Sequence, residues 1–301
     1  MSRLSFYDEI ARNKRSSILL ALTVSAFIFA LIYLLVYILS PALLIYTIPI
    51  SIVLISVYAS MSYKYGDSLV LASVNAKPAD ANKFQYLRDT VEGLSIAAGI
   101  PTPKVYIIES KEMNALATGR GPRDASIAVT TGLLGELNRL ELEGVIGHEI
   151  AHIRNRDVLF MTYVAVLVGL AAILSHMILR SFRMGRLRRI RGGREPGWIE
   201  AIVIIAGLIL AAIAPLVTRL VQFAISRRRE FLADASSAEL TRYPEGLASA
   251  LEKIMNKNKG RMDVSEAVSH LFFVDPNHNP MDRLFATHPP VEERIRRLRA
   301  M

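Results

Sequence analysis

His148-Glu149-Ile150-Ala151-His152 sets two imidazoles four residues apart, with a carboxylate beside the first. On a helix, residues i and i+4 lie on one face about a turn apart, so both rings can ligate one metal ion. Glu149 then points near the same ion and can take a proton from a water activated there. The chemistry requires a helix, and the flanks favour one. Glu141, Leu142, Glu143, Val145 and Ile146 precede the motif, and no proline occurs between Leu133 and Met184.

A hydrolytic zinc site keeps three protein ligands and one open position. The motif supplies two. An extended motif with glycine at 155 and histidine at 158 is excluded, because Asn155 and Val158 stand there. Cysteine is absent, which rules out disulfides, thiolate clusters and a cysteine nucleophile. The remaining ligand class is a carboxylate from another helix. Glu230 and Asp234 are themselves i and i+4 in Glu230-Phe231-Leu232-Ala233-Asp234. Glu230 is the candidate third ligand of one Zn2+ per chain. Asp234 is the candidate acceptor for the far nitrogen of a ligand histidine, fixing its tautomer.

The elements that carry these residues are set by hydropathy. Of the 301 residues, 52% are hydrophobic and 21% charged, and mean hydropathy is +0.32. That excludes a disordered chain. No charge occurs from Ser16 to Tyr63. About 20 residues cross the hydrocarbon core, so this run holds two spans, 17–39 and 43–63, broken at Ser40-Pro41. Two further apolar segments, 158–179 and 201–224, are long enough to span. The organisation expected is a cytoplasmic N-terminus (1–16), a transmembrane hairpin (17–63), a first polar part with the motif helix (64–157), a second hairpin (158–224) and a second polar part with the third ligand (225–301).

Arg3, Arg12, Lys14, Arg15 and Lys64 flank the first hairpin, which puts both of its ends in the cytoplasm. The connection 180–198 between the later segments holds seven arginines within 180–194, against that same rule. Either segments 158–179 and 201–224 do not cross fully, or the first hairpin dominates topology, or the loop binds anionic headgroups. Four spans are favoured. His152 lies just before the third segment and Glu230 just after the fourth. An antiparallel hairpin therefore brings the three ligands together next to the bilayer.

The net charge of +9 does not read as nucleic-acid binding, because the arginine loop has no interleaved aromatics beyond Phe182 and Trp198. In the polar parts, helices are expected over 79–96, from Gly132, from Arg139, and at 228–240, 244–256 and 290–299. Extended segments are expected at Lys104–Glu109, Met113–Thr118 and Ser126–Thr131. His270 and His278 have no partner pattern and read as surface residues.

Further motifs add a resemblance. Asn114-Ala115-Leu116-Ala117-Thr118-Gly119, Thr130-Thr131-Gly132-Leu133-Leu134, HEIAHIRNRD at 148–157, SRRREFLADASSAEL at 226–240 and Thr287-His288-Pro289-Pro290 before EERIRRL cover nearly the whole chain. With the N-terminal hairpin, the chain resembles the HtpX family of membrane-bound stress-response zinc metalloproteases, relatives of the type I CAAX prenyl proteases. Leu116 departs mildly from the phenylalanine common in that pattern. The resemblance implies an α-helical membrane protein with a small α+β protease domain, built on the HExxH helix and a short mixed sheet. It implies that His148, His152 and Glu230 bind zinc and that Glu149 is general base and acid. It also implies that Asn114, Ala115, Leu116, Ala117, Thr118 and Gly119 pair with the substrate backbone, and that His288 stabilises the oxyanion.

The function so implied is an endopeptidase of the plasma membrane, with its site on the cytoplasmic side and misfolded membrane proteins as substrates. ATP is not implied, since no GxxxxGK[ST] loop occurs. The alternatives are processing of lipid-modified substrates, or a non-catalytic metal-binding scaffold. The sequence does not fix the oligomeric state.

Overall fold

The computed structural model describes residues 15, 44–166, 227–258, 262, 264–276 and 289–301. The expectations for the first span, the arginine loop, most of segment 158–179, segment 201–224, His278 and His288 fall outside these residues.

The described chain opens with α1 (Leu44–Ser73), which carries Pro49 inside it. Among the described residues no helix is long and apolar enough to cross a membrane. α1 is uncharged as far as Tyr63, and Ile45, Ile52, Val53, Val57 and Met61 are exposed on it. Its last turns behave differently. Val70 and Leu71, with Val74 just beyond, are buried in a cluster with Ile108, Leu116, Ala128 and Phe272.

Four strands form one mixed sheet: β1 (Lys77–Pro78), β2 (Lys104–Ile108), β3 (Ala115–Gly119) and β4 (Ala125–Thr130), in the order β1-β2-β4-β3. β2 and β4 are parallel, Lys104 facing Ser126 and Ile108 facing Thr130. β3 returns antiparallel along β4, Ala115 opposite Val129 and Gly119 opposite Ala125, and is the terminal strand. The turn between them depends on Gly119. Its φ is +133°, and a Cβ there would lie 2.3 Å from the Asp124 carbonyl oxygen.

α2 (Gln85–Ala98) buries Leu87, Val91 and Leu94 in the core it shares with the sheet residues Ile107 and Ile127, and packs against the motif helix. It begins later than its apolar spacing predicts. The Asp80 carboxylate accepts the N–H groups of Asn82 and Lys83, which holds that stretch as a turn. After the short α3 (Thr131–Glu136) comes α4 (Arg139–Arg154), the motif helix. A capping box starts it: Asn138 accepts the N–H of Glu141, and the Glu141 side chain accepts that of Asn138. The middle of α4 is buried all round, every residue from Gly144 to Ile153.

Helical residues 157–166 follow α4 after a reversal. Then α5 (Arg227–Thr241) and α6 (Pro244–Lys257) pack on α4. The approach is close because α4 has glycine where they cross. A Cβ on Gly144 would lie 2.6 Å from the Leu247 amide nitrogen, and the Ser237 hydroxyl donates to the Gly144 carbonyl at 2.6 Å. α7 (Glu266–Ser269) leads into a strap, 271–276, that crosses β3 with a bridge between Leu116 and Phe272. α8 (Val291–Leu298) closes the domain against α5 and α6.

Candidate metal centre

α4 presents His148, Glu149 and His152 to one buried point, and α5 presents Glu230 and Asp234 to the same point. The Nε2 atoms of His148 and His152 are 3.1 Å apart. The Glu230 carboxylate stands 3.7 Å from the first and 3.6 Å from the second. Among the described residues these three side chains form a group able to hold a metal ion. The separations match the ion expected. Donors on a tetrahedral zinc shell of about 2.0–2.1 Å radius are about 3.3 Å apart. Two nitrogens and one carboxylate oxygen are the donor set of an open, hydrolytic site.

The far side of each histidine is held by an acid. His148 Nδ1 lies 2.9 Å from Asp234, and His152 Nδ1 lies 3.1 Å from Asp157. Each imidazole therefore keeps its proton on Nδ1 and turns the Nε2 lone pair toward the centre. Asp234 reaches His148 from α5, one turn after Glu230. Asp157 gets there by a backbone reversal: Arg156 adopts a left-handed conformation (φ 60°), and its N–H caps the Ile153 carbonyl. That turn folds Asp157 back under the helix it follows.

Glu149 is 2% exposed, and its pKa is pushed up to about 7. Burial is the main cause. His152 draws it down, Glu230 pushes it up, and Arg294 and the Ala117 N–H, which donates to the carboxylate, lower it again. Asp234 sits below the usual carboxylate range. Burial pushes it up, and the Arg294 charge with hydrogen bonds from His148 and Arg294 outweighs that. Burial likewise pushes the His148 imidazole down, while its bonds to Asp234 and Glu230 lift it above its ordinary value.

Arg294 is missing from the sequence-based site. It is fully buried and grips both Asp234 oxygens, at 2.9 and 2.7 Å. The signal was present. Arg294 stands between Val291 and Ile295 and Leu298 on the inward face of an amphipathic helix, where an arginine needs a buried partner. Phe273 was missed as well. Its ring packs edge-on to His148 with centroids 5.0 Å apart, and it follows no local pattern.

The 114–119 segment holds β3, the terminal strand of the sheet. Its outer edge is largely engaged. The Ala115 carbonyl accepts the Phe273 N–H at 2.8 Å, and the Thr162 hydroxyl accepts the Gly119 N–H at 3.1 Å. The Asn114 amide reaches away from the metal point and pairs with the Val274 backbone in both directions. His270 is a correction to the sequence reading. It is fully buried, with Nε2 3.0 Å from the Met161 carbonyl, because the strap carries it under the helical residues 157–166.

A motif helix with two histidines, an acid on α5 placed to join them around a metal ion and a mixed sheet alongside is the arrangement of a metallopeptidase. The family model "Peptidase family M48" matches residues 81–301. A "Protease HtpX homolog" of Thermoanaerobacter pseudethanolicus is 46% identical, covering 100% of this chain and 99% of the relative. Another, from Listeria monocytogenes serotype 4b, is 40% identical over 98% of this chain and 99% of its own. The crystal structure of S. mikatae Ste24p superposes with a TM-score of 0.51 at 20% identity, covering 96% of this chain and 67% of that one, which is a likeness of fold. The chain belongs to peptidase family M48, among its HtpX homologues, and is a metalloprotease acting on polypeptides.

Proposed function

We propose that the protein is a zinc-dependent endopeptidase of the gluzincin type, with His148, His152 and Glu230 as ligands and Glu149 as general base and acid. The observation that carries this reading is the convergence of three donor atoms within 3.1–3.7 Å beside a buried Glu149. A bound zinc ion supplies the Lewis acidity that activates water and polarises the scissile carbonyl. The Glu149 carboxylate takes the proton of the attacking water, then delivers it to the leaving amine. Asp234 and Asp157 hold the ligand imidazoles in one tautomer. The backbone of Asn114–Gly119 positions the substrate by strand pairing. His288 supports the developing oxyanion.

The protein sits in the plasma membrane as a multi-pass chain with the domain boundaries given above, its site on the cytoplasmic side. The uncharged runs and the basic flanks of the first hairpin support this. Its substrates are misfolded or damaged membrane proteins, in a quality-control role. The test uses detergent-purified, chelator-treated protein with zinc restored and an unfolded protein as substrate. Cleavage should return with zinc and fall by ~10²–10⁴ in Glu149→Gln, which still binds zinc. Equal cleavage by both proteins would overturn the reading.

A further inference from the structure

Arg294 does more than balance a buried charge. It comes from α8, the last helix of the chain, and its guanidinium joins three elements. Nε and one terminal nitrogen donate to the two oxygens of Asp234 on α5, at 2.9 and 2.7 Å. The other terminal nitrogen donates to the Phe273 carbonyl on the strap at 3.2 Å. The cation also lies over the Phe273 ring, 4.7 Å from its centroid. The bond after that ring matters to the site, because the Phe273 N–H is bound to Ala115 on β3.

A carboxylate gripped at both oxygens has no freedom to rotate. Oδ1, the oxygen facing His148 Nδ1 at 2.9 Å, is also bound by Arg294. Removing the guanidinium frees the acid that orients a ligand imidazole, and loosens the strap on the substrate strand. Lysine cannot reproduce this. It keeps the charge but presents no planar fork.

We propose that Arg294 is a positioning residue of the metal centre, acting through Asp234 on His148 and through Phe273 on β3. This rests on the metal reading above. Groups that orient a metal-ligating histidine typically change metal affinity by about 10–100-fold when lost.

The test measures zinc affinity by chelator competition on the full chain in detergent, in a Glu149→Gln background so that no activity is needed. Arg294→Gln, Arg294→Lys, Asp234→Asn and the Arg294→Gln/Asp234→Asn double variant are compared. Arg294→Gln should weaken zinc binding by ~10-fold or more. Arg294→Lys, the variant more certain to fold, should still lose about fivefold, because the fork is gone. In the Asp234→Asn background, Arg294→Gln should add less than about twofold, since its main route to the metal is already cut and only the 3.4 Å contact of its terminal nitrogen with His148 Nδ1 remains. With Glu149 restored, Arg294→Gln should also lower kcat at saturating zinc. A loss of metal-free thermal stability with zinc affinity within twofold of the parent would make Arg294 a structural ion pair only and overturn the assignment. So would losses that multiply in the double variant. No zinc binding by the parent would overturn the metal reading itself, and this assignment with it.

Discussion

The two ends of α4 each carry a polar cluster, and they are built on opposite principles. At the N-terminal end, Asn138 and Glu141 cap one another across three residues, and Lys253 of α6 adds an ion pair to Glu141 at 2.7 Å. This cluster is partly open to solvent, and every group in it finds a partner close by. At the C-terminal end, two histidines, four acids and one arginine meet with almost no exposure, drawn from α4, α5, α8 and residue 157. The first cluster stabilises a helix. The second concentrates charge that water does not solvate, which is favourable only when each group is bound or a cation is added. A stability device can be local and wet, whereas a metal site must be convergent and dry.

That contrast can be broken most severely at Glu230, the proposed ligand from α5. Glu230→Ala should abolish stoichiometric zinc binding, measured by metal analysis after gel filtration, because a pair of histidines alone does not make a three-ligand site. Zinc retained at one per chain would remove Glu230 from the centre.

The next largest effect concerns pH. A carboxyl whose folded pKa is raised from 4.5 to about 7 binds its proton more tightly folded than unfolded. Glu149 therefore leaves stability intact below about pH 4.5 and takes it away as pH rises toward 7. In metal-free protein, Glu149→Gln should raise stability by on the order of 3 kcal/mol at pH 8 and change it little at pH 4. Thermal midpoints across that range test it, and a pH-independent difference would contradict the burial effect. A bound cation favours the carboxylate, so zinc should shrink the gap.

Asp157→Asn should weaken zinc binding by ~10-fold and leave the substrate KM nearly unchanged, since it touches only the far nitrogen of His152. At the other end of α4, Asn138→Ala should cost about 1 kcal/mol of stability. It should leave zinc affinity alone, and a shift in affinity there would show that the two clusters are coupled.

Much of the site could be read directly from spacing. Helical periodicity makes the i and i+4 placement of His148 with His152, and of Glu230 with Asp234, a consequence of local geometry. The β-branched runs of β2 and β4 are equally local. The Arg294 link was legible only as an anomaly, a cation on an inward helix face. Phe273 and the buried His270 had no local signal, because their environment comes from a strap that crosses strands and helices distant in sequence. The open edge expected of Asn114–Gly119 met that same strap. A strand's alternation does not say what covers its outer side.

By itself, the sequence determined the donor chemistry, its helical spacing and the absence of any cysteine alternative. Those follow from residue type and a 3.6-residue repeat, which involve only neighbours along the chain. The tertiary structure alone decided which acids face which imidazole nitrogens, that β2 pairs with β4 and leaves β3 at the end of the sheet, and that the last helix returns an arginine to the centre. These choices depend on how closely two surfaces can approach. Here that approach is set by glycines such as Gly144, whose missing side chain matters only once another helix lies 2.6 Å from where it would be.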